Sequence, residues 1–272
     1  MSRATIDLSL RPRATRGLVN LTVLGIELRR VLRNRRTVAF MLIFPPVMLL
    51  FISAQIRGTN DVMGPGIIAN VGAYVMVSMA LYGAVLATTS AGASVSIERA
   101  SGWNRQLRLT PLNPVAYVVM KMIAALVLGA IATGVTFLVG SVTGKAHMAT
   151  QSWIECTAII LVGSLVFAAF GLFMGYLLPS DNVMQYLGPV LAILSIFGGI
   201  FTGPISTDSV YGKLAELTPI YGLASIAHWP TTLTTSGGHD TFQIAWVVNL
   251  LAWAVVFVAG AVWRFRKDTA RV

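Results

Sequence analysis

Residues 153–178 read WIECTAIILVGSLVFAAFGLFMGYLL, and this stretch contains one charged residue, Glu155. An apolar run of about 20 residues or more is long enough to cross the roughly 30 Å of hydrocarbon in a bilayer as a helix. Five further stretches share this length and character, so the pattern predicts an all-α integral membrane protein with six transmembrane helices. The predicted spans are Thr37–Ile56, Ile67–Ala91, Tyr117–Val142, Trp153–Leu178, Val183–Gly203 and Phe242–Val262.

The composition also places the chain in the membrane class. Hydrophobic residues make up 56% of the chain and charged residues 11%, whereas soluble domains carry roughly 25% charged residues. In a soluble protein the net charge of +10 would suggest a nucleic-acid partner. Here most of the positive charge flanks the spans, and membrane topology together with anionic lipids explains it without nucleic acid.

Positive charge is divided unequally among the gaps between the spans. Of the 20 Lys and Arg residues, nine precede the first span, four follow the last span, and four lie between the second span and the start of the third, namely Arg99, Arg105, Arg108 and Lys121. The first, third and fifth gaps hold one each, namely Arg57, Lys145 and Lys213. Because Lys and Arg accumulate in cytoplasmic loops, we expect a multi-pass protein of the plasma or inner membrane with both termini in the cytoplasm.

This pattern divides the chain into three predicted parts: a cytoplasmic N-terminus at residues 1–36, one six-span domain at 37–264, and a cytoplasmic tail at 265–272. In the first part, leucines recur at helical spacing beside arginines. This favours an amphipathic helix in the membrane interface, with its arginines near lipid phosphates, over a plain positively charged flank.

Two local features of the spans and loops also predict structure. Gly171 and Gly175 form a small-xxx-small step, which favours close packing of two membrane helices. The apolar stretch Ile220–Trp229, between the fifth and sixth spans, is too short to cross a bilayer. We expect it to be a re-entrant or interfacial segment.

The gap between the second and third spans carries more than a passive connector needs. It contains a short helix-compatible run that ends at Pro111. Trp103 and Leu107 are four residues apart and share one helical face, while the arginines of this run lie elsewhere around the axis. A charged helix with an apolar ridge, held just beneath the membrane, can bind in a groove of a cytoplasmic partner.

This gap resembles the cytoplasmic segment of ABC-2 type exporter permeases, which reads roughly Glu-Arg-x-x-Gly, then Leu-Arg, then Thr-Pro-Leu-x-Pro. The similarity extends over most of the chain, and it is greatest to the small drug- or antibiotic-export permeases of the daunorubicin-exporter type. The matching elements here are Glu98-Arg99, Gly102, Leu107-Arg108 and Thr110-Pro111-Leu112-x-Pro114.

The resemblance implies a transport subunit that pairs with a second permease, alike or different, and with a separate ABC ATP-binding subunit. The chain has no Gly-x-x-x-x-Gly-Lys-Ser/Thr phosphate loop. We therefore expect no enzyme activity and no cofactor in this chain, with ATP and Mg on the partner ATPase. The gap would be the coupling helix, and its implied coupling residues are Glu98, Arg99, Gly102, Trp103, Arg105, Leu107, Arg108 and Pro111.

Glu98 is the residue expected to transmit the coupling. A pairing with an N-terminal arginine such as Arg33, Arg35 or Arg36 would attach the coupling segment to the interfacial helix. The alternative is that Glu98 is a solvated charge at a helix end.

A candidate substrate path is drawn from the second and fifth spans, which the resemblance places at the border between two permease subunits. The alternative is that these side chains pack within the bundle or contact lipid. A path without fixed charges favours a small hydrophobic or amphipathic substrate. The candidate residues are Tyr74, Ser78, Met79 and Tyr82 on the second span, and Phe197 and Phe201 on the fifth.

The sequence predicts neither a metal site nor a catalytic site. Cys156 is the single cysteine, and His147, His228 and His239 are scattered over two loops without ligand spacing, so we expect solvated histidines. The spans contain essentially no ionisable residue, which argues against a membrane enzyme and a proton-coupled transporter.

These observations predict the permease subunit of an ATP-driven ABC-2 exporter that moves a drug, an antibiotic or a lipid-like compound outward. The alternative is a non-transporting membrane scaffold or sensor that recruits a cytoplasmic ATPase.

Overall fold

The computed structural model describes residues 21–56, 58–100, 114–178, 183–205 and 208–269. Within these ranges the chain is helical, without β-strands apart from two isolated bridges. A 3-10 turn lies at Trp229–Thr232. The helices are α1 (Leu21–Arg33), α2 (Arg35–Gln55), α3 (Val71–Ala93), α4 (Val95–Ala100), α5 (Pro114–Val142), α6 (Thr150–Leu177), α7 (Val183–Phe197), α8 (Val210–Glu216), α9 (Pro219–His228) and α10 (Ile244–Thr269).

Helix α3 lies at the centre of the bundle. It contacts α2, α5, α6, α7 and α9, and nearly all of its side chains are buried. Its sequence is rich in Gly, Ala, Ser and Thr, whose small side chains allow neighbouring helices to approach closely. The second predicted span is therefore enclosed by helices of its own chain.

Helices α3 and α6 meet at backbone contact. A Cβ atom added at Gly171 would lie 2.0 Å from the Thr89 carbonyl oxygen, and one added at Gly92 would lie 2.1 Å from the Ala168 carbonyl oxygen. At Gly175 the corresponding distance to the Ala93 oxygen is 3.0 Å. The close packing predicted from the Gly171–Gly175 step is therefore confirmed, and α3 is the partner helix.

The prediction of six spans is confirmed in part. In the part of the chain that the structure describes, five helices (α2, α3, α5, α6 and α10) are long and apolar enough to cross a membrane. Helix α7, at the predicted fifth span, has 15 residues, or roughly 22 Å at 1.5 Å per residue. It ends at Phe197 because the chain turns at Gly199, whose φ of +87° lies in the left-handed region that favours glycine.

The first, third and fifth predicted gaps meet at one end of the bundle, the loop end. Asn70 caps α3, and its Oδ1 accepts a hydrogen bond from the His147 amide at 2.9 Å. Its Nδ2 donates to the Lys145 carbonyl oxygen at 2.9 Å. The amide of Thr235 in the fifth gap donates to the carbonyl oxygen of Gly66 in the first gap at 2.7 Å. Loops predicted to share one side of the membrane therefore lie together, and the opposite end, where α1 and α4 lie, is the basic end.

The segment between α7 and α10 folds onto the loop end. Asn249 Nδ2 donates to the Glu216 carbonyl oxygen at 2.6 Å, and Trp253 Nε1 donates to the Leu217 carbonyl oxygen at 3.0 Å. The stretch predicted to be re-entrant or interfacial forms α9 and the first residue of the 3-10 turn. Helix α9 is mostly buried against α3, α6 and α10. Its depth in the membrane stays a prediction.

The N-terminal part contains the expected amphipathic helix, α1, which is followed after one residue by α2. The contact of α1 with lipid stays a prediction. The predicted boundaries at residues 36/37 and 264/265 fall inside α2 and α10, and the three-part division also stays a prediction.

Candidate functional site

Four charged side chains form a cluster at the basic end, hereafter the ionic cluster: Glu27, Arg30, Glu98 and Lys121. Glu98 on α4 is fully buried, with 0% of its side chain exposed. Arg30 Nη1 on α1 donates to Glu98 Oε1 at 2.8 Å. Lys121 on α5 donates to the same Glu98 oxygen and also to Glu27 Oε1, the latter at 2.5 Å. One carboxylate of α4 thus joins α1 and α5.

Local structure brings these groups together. Glu27 and Arg30 are three residues apart in α1 and therefore share one helical face. Ser94 separates α3 from α4, and its Oγ accepts a hydrogen bond from Lys121 Nζ at 3.1 Å. Glu98 lies one turn further along α4. The ionic cluster is therefore fixed to the junction of α3 and α4.

The pairing predicted between Glu98 and an N-terminal arginine is present at a residue other than Arg33 or Arg35, and the side chain of Arg36 lies outside the described residues. An N-terminal arginine does pair with Glu98, and it is Arg30, whereas Arg33 and Arg35 are exposed. Arg30 is the partner because it shares with Glu27 the face of α1 that packs toward α4 and α5. The alternative of a solvated Glu98 is wrong because none of its side chain is exposed.

The expectation that the spans contain essentially no ionisable residue is wrong at Lys121. Lys121 lies inside α5, within the apolar segment Val119–Val142, and 11% of its side chain is exposed. Its charge is tolerated there because two carboxylates, from Glu27 and Glu98, contact the ammonium group. Removing one partner of a buried ion pair leaves the other charge uncompensated, which typically costs on the order of 3–5 kcal/mol.

The rest of the predicted coupling segment follows the ionic cluster directly. Helix α4 ends at Ala100, so the backbone of Arg99 is in the helix. The side chain of Arg99 lies outside the described residues, and so do the other predicted coupling residues. The coupling role of this segment stays a prediction. The residues outside the description are Gly102, Trp103, Arg105, Leu107, Arg108 and Pro111.

By their contacts, the candidate substrate-path residues form two groups, and one residue, Phe197, lies apart from both. Tyr82 is buried, and its ring centroid lies 5.0 Å from that of Phe201; Met79 is buried beside it on α3. Phe197 is apart from them, half-exposed, with its ring 6.0 Å from Tyr211. Their role in transport stays a prediction.

The second group joins the start of α3 to α9 through His228. Ser78 Oγ lies 2.9 Å from His228 Nε2, and the His228 ring stacks on Tyr74 with centroids 3.9 Å apart. His228 Nδ1 lies 2.7 Å from the Ala224 carbonyl oxygen, which can only accept. Nε2 also lies 3.3 Å from the Tyr74 carbonyl oxygen. The shorter contact, at Nδ1, assigns the proton to that nitrogen, and Nε2 then accepts from Ser78.

The expectation of a solvated histidine is wrong for His228. Burial lowers the pKa of His228 to about 4, so the ring is neutral at ordinary pH. His147 is exposed. His239 is half-buried, and its ring centroid lies 4.4 Å from that of Trp229. No local signal marks His228, because its partner Ser78 is 150 residues away in the sequence.

Comparison with known proteins agrees with this architecture. The family model described as "ABC-2 family transporter protein" matches residues 21–270 of the chain. The Bacillus subtilis (strain 168) protein named "Putative transport permease YvfS" is 26% identical to this chain over 245 residues, which cover 90% of this chain and 96% of that protein. The resemblance drawn from residues 98–114 is thereby confirmed at the level of the family. The chain is a multi-pass membrane protein that belongs to the ABC-2 family of transporter proteins.

Proposed function

We propose that this chain is the permease subunit of an ATP-driven exporter that moves a hydrophobic or amphipathic compound outward. The observation that carries the proposal is the ionic cluster, because Glu98, the first residue of the predicted coupling segment, joins α1, α4 and α5. A segment meant to transmit force needs such attachment, whereas a passive loop does not.

The energy would come from a separate ABC ATPase, since the chain has no phosphate loop of its own. Nucleotide binding on that subunit can drive transport only if one arrangement of the helices contacts the ATPase better than another does. The two arrangements would differ in the position of the predicted coupling segment, which begins at Glu98 and extends to Pro111.

The helix arrangement provides a route for this displacement. Helix α4 follows α3 after the single residue Ser94, so movement of α4 would act on α3. Helix α3 contacts most of the other long helices. Through the ionic cluster the same movement would also reach α1 and α5. A small displacement at the basic end would therefore move several connected helices of the bundle, and not one loop alone.

The pore would need a second permease, identical or different. The exposed apolar faces of the long helices are suited to lipid contact, and α10 is the least buried of them. The absence of fixed charge along the candidate path, Tyr82 and Phe201 included, supports an apolar or amphipathic substrate.

Transport in proteoliposomes tests the proposal. The permease is purified together with the ABC ATPase that accompanies it, and efflux of a fluorescent amphipathic dye is followed after ATP addition. We expect ATP-dependent movement that is lost in Glu98→Gln and retained in Asp61→Asn, which alters an exposed carboxylate at the loop end. ATPase recruitment without any ATP-dependent flux in the wild type would instead support the scaffold function.

A further inference from the structure

A cavity of about 510 Å³ lies at the loop end, hereafter the outer cavity. It is bounded by the start of α3, the turn after α7, α9, and the start of α10 with the loop before it. Small-molecule sites in proteins usually measure about 300–1,000 Å³. The outer cavity is therefore large enough for a compact organic molecule.

Aromatic rings form much of its wall: Tyr74, Tyr221, Trp229 and Trp246. Phe242 bridges the two tryptophans, with ring centroids 5.4 Å from Trp229 and 5.6 Å from Trp246 in edge-on geometry. These contacts hold the indole rings in position. The faces of aromatic rings carry negative electrostatic potential, and they attract cations within about 6 Å.

The formal charge of the wall is negative. Among the described residues that line the outer cavity, Asp240 is acidic and none is Lys or Arg. Residue 240 is fixed at the wall by two hydrogen bonds. Its amide donates to Thr232 Oγ1 at 3.1 Å, and its carbonyl oxygen accepts from Trp229 Nε1 at 2.9 Å.

Two other ionisable side chains of the wall, those of His228 and Tyr221, are uncharged at neutral pH. His228 also lines the outer cavity and is neutral, so it supplies no positive charge. Burial, and secondarily the carboxylate of Glu216, raises the pKa of Tyr221 above its usual value.

We infer that the outer cavity binds an organic cation with an apolar or aromatic body. Aromatic rings and one carboxylate, with no Lys or Arg among the described lining residues, favour a positive ligand and disfavour an anion of the same size. The biological role of the site rests on the proposed export function, in which it would be a substrate-binding site near the outer end of the path. Binding itself requires neither ATP nor the partner subunit.

Two ions of nearly equal size and opposite charge test the inference. Purified permease without ATPase is dialysed to equilibrium against tetraphenylphosphonium or tetraphenylborate, and binding to empty detergent micelles is subtracted. We expect saturable binding of the phosphonium and at least about tenfold weaker binding of the borate, because charge is the main difference between them. Equal binding of both ions would overturn the inference.

Variants locate the binding. Asp240→Asn should raise the Kd for tetraphenylphosphonium about five- to tenfold, and Trp246→Leu about threefold or more, because each removes one source of attraction. Asp208→Asn, which changes an exposed carboxylate that does not line the outer cavity, should leave the Kd unchanged. An unchanged Kd in Asp240→Asn would refute the site even if Trp246→Leu failed to fold.

A displacement experiment in the same assay distinguishes two sources of the cation. Displacement of tetraphenylphosphonium by phosphatidylethanolamine would identify a lipid ammonium group as the ligand, and its absence would identify a free organic cation. Both results support the site. Because the ATPase is absent, failure of export in proteoliposomes would refute the proposed function without changing these measurements.

Discussion

Arg30 and Glu98 lie 68 residues apart in the sequence and form an ion pair, with Arg30 Nη1 2.8 Å from Glu98 Oε1. The pair joins α1 to the helix that leads into the predicted coupling segment. Glu98 has no exposed surface, whereas 37% of the Arg30 side chain is exposed, so solvent screens this contact only in part. The junction should therefore be both stabilising and sensitive to substitution.

The ionic cluster predicts strong coupling between Glu98 and Lys121. Glu98→Gln or Lys121→Met alone leaves a buried charge with fewer partners, so each should lower the free energy of unfolding by about 3–5 kcal/mol. The double variant should lose less than the sum of the two, with an interaction energy of about 0.5–3 kcal/mol. Denaturation of the four proteins in one detergent measures this cycle. Strictly additive effects would mean that the two side chains do not interact.

The close contact of α3 and α6 predicts that Gly171 tolerates no side chain. A Cβ at this position would lie 2.0 Å from the Thr89 carbonyl oxygen, so Gly171→Ala must separate two helix backbones. We expect a loss of stability of about 1–3 kcal/mol together with reduced transport. The thermal midpoint of the purified protein measures the effect.

Gly134→Ala provides the matched control for this packing prediction. Nothing lies within 4 Å of a Cβ at Gly134, which is in α5. Replacing a glycine by alanine inside an open helix should change stability by no more than about 0.5–1 kcal/mol, in the stabilising direction. Equal destabilisation by the two variants would contradict the packing account.

The buried histidine predicts a pH-dependent stability. Burial lowers the pKa of His228 from 6.5 to about 4 in the folded protein, so the unfolded chain binds a proton first as pH falls. The stability linked to His228 is complete above about pH 6.5 and decreases between pH 6.5 and 4. At pH 5 the loss should be on the order of 2 kcal/mol, at 1.36 kcal/mol per pH unit.

Thermal unfolding at pH 7.5 and pH 5.0 measures this dependence. The wild type should lose more stability over this interval than His228→Gln, which cannot take up the proton. His147 and His239 are present in both proteins, so the difference isolates His228. Identical pH dependence of the two proteins would show that the buried ring does not resist protonation.

Much of the fold was predictable because hydrophobic length and positive charge are local properties of the sequence. Helices α2, α3, α5, α6 and α10 lie at predicted spans for this reason. The shortness of α7 was harder to predict. Gly198-Gly199 marks the end of α7. Apolar residues lie on both sides of this pair, so hydropathy alone assigns them to one continuous span.

The candidate sites were less predictable because their contacts join distant parts of the chain. The sequence suggested that Glu98 meets an N-terminal arginine, but the choice of Arg30 depends on which face of α1 packs against α5. Lys121 is hard to assign from the sequence because it lies near the start of the third predicted span, where a single lysine changes the mean hydropathy little. The pairing of Ser78 with His228 depends on how α9 folds back on α3, which no periodicity encodes.

Accessibility of residue 103 tests the central claim most directly, because coupling requires the predicted coupling segment to face the cytoplasm. The natural Cys156 is buried and should not react with a membrane-impermeant maleimide, so Trp103→Cys provides one reactive thiol. Ser236→Cys, at an exposed position of the loop end, provides the opposite control. We predict that Trp103→Cys is labelled in inside-out vesicles alone and Ser236→Cys in right-side-out vesicles alone. Labelling of Trp103→Cys from the outer surface would contradict the account.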